Sequence, residues 1–141
     1  MEKLYTAVAT STGGRSGHVK SSDGVLDLEV RPPKEMGGPG GNYTNPEQLF
    51  AAGYSACFGS ALSHVSLEKK IHIRPEVTAK VSIGKKEGGG FQLAVEMDVH
   101  MTGMSQQEAE ELVKEAHQTC PYSNATRGNV EVTLNVTVSD K

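Results

Sequence analysis

The chain reads as an α+β protein. Two long stretches alternate apolar and polar residues with period two, two segments carry helix-start signals, and the elements run strands, long helix, strands, helix, strand rather than in strict βαβ alternation. At 141 residues one domain spanning 1–141 is the expectation.

The elements follow in chain order. Tyr5 to Thr10 and Val25 to Val30 are weak strand candidates that suggest an N-terminal hairpin-like unit, separated by the glycine-rich loop from Ser11 to Gly17. A second such loop, Met36 to Asn42, precedes the first helix. That helix has Asn45 as N-cap, Pro46 at its first position and Glu47 in its first turn, and runs to about Lys70. Its centre, Ala51 to Ala61, is dense in small residues, which admits another backbone closely and makes the helix central. Val77 to Ile83 and the alternation from Phe91 to Met101 read as strands joined by a glycine-rich hairpin loop. Ser105 and Glu108 form a capping box, with Ala109, Leu112, Val113 and Ala116 as the apolar stripe of the second helix. Pro121 restricts Cys120 to extended backbone and starts a short turn over Tyr122 to Thr126. Val130 to Val138 alternates as a last strand, expected, like the Phe91 strand, to be antiparallel.

Composition removes several function classes. With 14 basic and 17 acidic residues and a net charge of −3, the scattered cations form no nucleic-acid or anionic-membrane footprint. The longest uncharged stretch, Gln48 to Leu67, contains Tyr54, His64 and four serines, and the mean hydropathy is −0.40, so it reads as a buried helix rather than a span. No apolar signal segment follows the N-terminus, so the expected location is cytoplasmic. The GGPGGN loop lacks both the P-loop ending and the dinucleotide-binding register. The five histidines and two cysteines show no zinc-site spacing, and no metal site is expected.

Cys57 and Cys120 are the chemistry-bearing residues. In a reducing compartment they are two core thiols, a metal fragment or a redox couple. A reactive Cys57 needs a cation to stabilise its thiolate, access for an oxidant and a second thiol to capture the sulfenic acid. Arg15, the small residues around Cys57, and Cys120 at a junction between elements are the candidates for those three needs.

The segments at residues 45–58, NPEQLFAAGYSACF, and 120–129, CPYSNATRGN, resemble the two cysteine motifs of the organic hydroperoxide resistance (Ohr) family within the OsmC superfamily. Leu4 to Ala7 and Gly14 to Gly17 extend the resemblance over nearly the whole chain. It implies antiparallel sheets around a long central helix carrying the first cysteine, in an intertwined homodimer with active sites at the subunit interface. It also implies a thiol peroxidase that reduces organic hydroperoxides, fatty-acid hydroperoxides included, with no bound cofactor or metal. Cys57 then matches the peroxidatic cysteine, Cys120 the resolving one, Arg15 the thiolate-stabilising arginine, and Glu47 the carboxylate that orients it. The implied electron donor is a dithiol such as dihydrolipoamide or a lipoylated protein.

Glu47 and Cys57 stand ten positions apart, about 15 Å along a continuous helix. One guanidinium cannot serve both at that distance, so the Glu47 of a given site is expected from the other subunit. The flanking glycines are expected to let the Arg15 loop close over reduced Cys57 and open when the disulfide removes the charge. Tyr54, Phe58 and Met36 are the candidates for an apolar substrate pocket. The competing readings are a redox sensor using the same cysteines, and a passive binder of a small ligand or metal.

Overall fold

A computed structural model describes residues 1–140, which form two compact units, one from Met1 to Leu49 and one from Phe50 onward. In the first unit three strands, β1 (Ala9–Thr12), β2 (Gly17–Ser21) and β3 (Asp27–Val30), make an antiparallel sheet in the order β1-β2-β3. The sequence reading correctly sees β3 inside Val25 to Val30. It sets the first strand too early and reads no strand between Gly17 and Ser21. The burial along β2 explains the omission. Gly17, His18, Val19, Lys20 and Ser21 carry one strong β-former among polar residues, and pairing with both neighbours, rather than an apolar face, holds the strand.

A 3₁₀ turn over Lys34–Met36 follows β3. The chain then returns to β3 through a bridge between Val30 and Thr44, closed by Arg31 N–H to the Thr44 carbonyl and Thr44 N–H to the Glu29 carbonyl. This return fixes where the next helix starts.

Helix α1 spans Pro46–Glu68. Asn45 caps it, its Oδ1 accepting from the Gln48 amide at 2.8 Å, which satisfies one of the amides a helix start leaves free. The helix ends near the expected Lys70. Lys70 itself takes a left-handed backbone at φ 60°.

In the second unit β4 (Glu76–Lys85) and β5 (Phe91–Thr102) form the expected hairpin, and β6 (Glu131–Ser139) lies on the other side of β5. β6 runs parallel to β5, with Val99 opposite Val136. This corrects the antiparallel expectation. Period-two alternation reports a half-buried face and carries no direction, and direction is set by the connection: α2 (Gln106–Thr119) and α3 (Pro121–Thr126) return the chain to the end where β5 began. The sheet is therefore mixed, within an α+β fold.

The inner faces of these strands meet α1 and α2. Val95, Met97, Val99 and Met101 of β5 are at most 3% exposed and share one core with Tyr54, Phe58, Leu62 and Val65 of α1 and with Ala109, Leu112, Val113 and Ala116 of α2. The last four are the stripe read from sequence. The Ser105–Glu108 capping box is present in both directions. Phe58→Ala should cost about 3–5 kcal/mol, because the ring is wholly buried, and chemical denaturation of the variant is the check.

Candidate active site

Arg15 and Glu47 are brought together within the first unit. Arg15 sits in the turn between β1 and β2, closed by Ser16 N–H to the Gly13 carbonyl at 3.1 Å. Gly13 takes φ 83°, and a Cβ on Gly17 would stand 1.8 Å from the Thr12 carbonyl oxygen. Glycine is therefore a steric requirement at position 17, where the turn re-enters the sheet. Glu47 stands in the first turn of α1, held at the sheet by the Val30–Thr44 bridge. Arg15 donates to both carboxylate oxygens, at 2.8 and 2.9 Å, a fork geometry that only arginine provides.

The pair is partly sheltered, Glu47 at 15% exposure and Arg15 at 37%. The hydrogen bonds from Arg15 hold the Glu47 carboxyl below the usual carboxylate range against the opposing effect of burial. The bond to Glu47 likewise raises the Arg15 guanidinium. The arginine is thus oriented and permanently charged, with a rigid plane to offer an anion.

The two cysteines are brought together within the second unit. Cys57 is half-buried in mid-α1, Cys120 is fully buried, and both are free thiols. Their Sγ atoms lie 3.6 Å apart, with Cys120 donating to Cys57. Sixty-three positions of sequence separation are closed by the packing of α1 against the α2–α3 junction. Burial pushes the Cys57 thiol above its ordinary value, the backbone N–H of Tyr122 works against that shift, and the neighbouring Cys120 adds to it, since two thiolates at this distance would repel. None of the groups that shift it is a cation.

The Tyr122 amide is a functional group that the sequence reading missed. Its only sequence signal is Pro121, which occupies the first position of α3 and so turns the following amides outward from the helix start. The Tyr122 ring packs against α1 over Gly53, where a Cβ would come within 2.5 Å of its hydroxyl, and it lies edge-on to Phe50 at 6.1 Å.

The three apolar pocket candidates fall in different places. Tyr54 and Phe58 are wholly buried in the core of the second unit. Tyr54 directs its hydroxyl to Ser123 at 2.8 Å. Met36 lies in the 3₁₀ turn of the first unit, 41% exposed. Among the described residues no cluster of three or more His, Cys, Asp or Glu side chains is arranged to hold a metal ion, and no helix is long and apolar enough to cross a membrane.

Two outcomes follow from the arginine pair. Because the folded-state carboxyl of Glu47 sits below its unfolded value, the pair contributes stability above the usual carboxylate range that is lost as pH falls through the depressed value. Carboxyl-carbon NMR should show Glu47 titrating below the usual carboxylate range, with Arg15→Met returning it to that range. Gly17→Ala should push the turn away from Thr12, and the same resonance should then move upward as the fork opens.

The OsmC-like protein family model matches residues 38–135. The chain is 52% identical over 132 residues to an organic hydroperoxide resistance protein of Xanthomonas axonopodis pv. citri, covering 93% of both chains. It is 52% identical over 134 residues to the organic hydroperoxide resistance protein OhrB of Bacillus subtilis, covering 93% of this chain and 96% of that one. Among solved structures, an organic hydroperoxide resistance protein from Elizabethkingia anophelis, with thiocyanate bound, superimposes with a TM-score of 0.94 at 57% identity, over 99% of this chain and 100% of that one. The resemblance first carried by two cysteine motifs thus extends over sequence and structure alike, and the chain belongs to the organic hydroperoxide resistance branch of the OsmC-like proteins.

Proposed function

We propose that the protein is a cysteine-based peroxidase that reduces organic hydroperoxides, including those of fatty acids, to alcohols. The observation that carries this reading is the 3.6 Å contact between the Cys57 and Cys120 sulfurs. Cys57 thiolate attacks the distal peroxide oxygen, the O–O bond breaks, the alkoxide takes a proton and leaves as alcohol, and Cys57 becomes a sulfenic acid. Cys120 then attacks that sulfur, water leaves, and a disulfide forms as the sulfurs close to about 2.05 Å. A dithiol such as dihydrolipoamide, free or on a lipoylated protein, reopens it by exchange. The setting is the cytoplasm, and the chain from 1 to 141 works as one functional domain.

The thiol needs a cation, since the groups around it raise its pKa on balance. Arg15 is the group suited to supply it, and it travels with Glu47 of its own chain. Glu47 and Cys57 lie on one uninterrupted helix, about 15 Å apart along the axis. The pair therefore completes the thiol site of a second copy, in a homodimer whose sites are shared. In support, apolar residues stand open on the single chain, with Leu4 93%, Tyr5 82% and Val8 53% exposed. Met36 in the first unit and the half-exposed Tyr122 in the second are the apolar groups available to the organic part of the substrate, while Tyr54 and Phe58, wholly buried, belong to the core against which Cys57 packs. The Arg15 turn opens when the disulfide removes the anion it faces, which admits the reductant.

Turnover of tert-butyl hydroperoxide with dihydrolipoamide tests the reading. Cys57→Ser should abolish turnover and Cys120→Ser should suppress its dithiol-dependent cycle, whereas stoichiometric oxidation without turnover in the native protein would defeat it. Subunit sharing has its own test. Cys57→Ser and Arg15→Met chains, each inactive, should regain about a quarter of native activity when unfolded together and refolded, because half the dimers are mixed and each mixed dimer holds one whole site of two. No recovery would place Arg15 and Cys57 of one chain in one site.

A further inference from the structure

One hydroxyl ties together the three helices that flank the thiols. Ser123 of α3 has its Oγ 2.8 Å from the Tyr54 hydroxyl of α1 and 2.8 Å from Nδ1 of His117 in the last turn of α2. Tyr54 and Ser123 are fully buried. Thr126 Oγ1 lies 3.3 Å from the Tyr54 hydroxyl and donates to the Ser123 carbonyl. From outside, Arg127 donates to the His117 carbonyl and to Asn124 Oδ1.

Cys120 depends on such a tie. It is at once the C-cap of α2 and the N-cap of α3, and its side chain makes no capping bond. α3 has six residues, too few for a helix to persist on its own hydrogen bonds. The position of the Cys120 sulfur over Cys57 is therefore set by whatever pins the end of α2 and the body of α3 to α1. The Ser123 hydroxyl contacts a side chain from each of the other two helices.

We propose that Tyr54, Ser123 and His117 form a positioning unit for disulfide closure, holding Cys120 against Cys57 so that the ring-closing sulfur is already in place. The inference rests on the peroxidase reading for its use in the cell, but the closure it describes is measurable without a peroxide. Proton bookkeeping shows why these residue types suit the task. With Nδ1 of His117 unprotonated, Tyr54 donates to Ser123 and Ser123 donates to His117. With Nδ1 protonated the direction reverses, His117 to Ser123 to Tyr54 to Thr126, and Thr126 still donates to the Ser123 carbonyl. No buried donor is orphaned in either state, so the pin survives titration of His117, whose pKa is lowered first by burial and then by the Arg127 charge.

The test uses the full-length chain, reduced and then closed with diamide, which takes two hydrogens from the dithiol and leaves the Cys57–Cys120 disulfide. Equilibration with dithiothreitol reads how strongly the fold favours closure. Ser123→Ala, Tyr54→Phe and His117→Ala should each shift that equilibrium about tenfold toward the dithiol. His117→Asn, whose amide lies where Nδ1 did, should recover most of the loss, which general destabilisation would not do. An unchanged equilibrium in Tyr54→Phe, which keeps the buried ring and removes a single oxygen, would overturn the proposal even if Ser123→Ala failed to fold. A parallel arm with tert-butyl hydroperoxide separates the two claims. A native chain closed by diamide but not by hydroperoxide defeats the peroxidase reading, while the diamide series still decides the positioning unit.

Discussion

The contact between two sulfurs at 3.6 Å is the constraint around which the larger unit is arranged. Placing a thiol on the mid-face of a long helix shelters it, and shelter disfavours its thiolate. The Tyr122 amide offsets part of this. A backbone donor suits the position because it cannot be titrated away, and its direction is fixed by the start of α3.

The cation belongs to a different piece of architecture. Arg15 lies in a tight turn and Glu47 at a helix start, and a short bridge between Val30 and Thr44 brings those two places together. A lone arginine in a glycine-rich turn would sample many rotamers. The carboxylate fork removes most of that freedom before any anion arrives, so the ordering cost of binding is met within the fold. Thiol pair and guanidinium pair are each preorganised separately.

Much of this was legible in the residues. The long helix with Asn45 as cap, the capping box at Ser105, the apolar stripe of α2 and the β4–β5 hairpin all announce themselves through local rules of period and capping, and the structure holds them with small shifts at the ends. Cys57, Cys120, Arg15 and Glu47 stood out by chemistry and by resemblance, and the folded chain joins them two by two. What escaped is non-local. The direction of β6 is decided by the path through α2 and α3, β2 is held by neighbours rather than by its own pattern, and the Ser123 hydroxyl acquires its partners only when three helices meet. Tyr54 shows the difference within one residue. As a large aromatic near a cysteine it suggested a pocket wall, yet its hydroxyl has buried partners on α3, and a buried hydroxyl with partners is a tie.

The capping geometry of Cys120 also bears on how far this protein can be made more stable. Position 120 has the extended backbone of an N-cap, at φ −64° and ψ 124°, where a serine oxygen could accept from the first amides of α3 and a sulfur accepts only weakly. Cys120→Ser would thus strengthen α3 by about 0.5–2 kcal/mol at the expense of the second thiol. The residue best for the helix and a residue able to do thiol chemistry compete for one site, and at position 120 the chain keeps the thiol and goes without the cap.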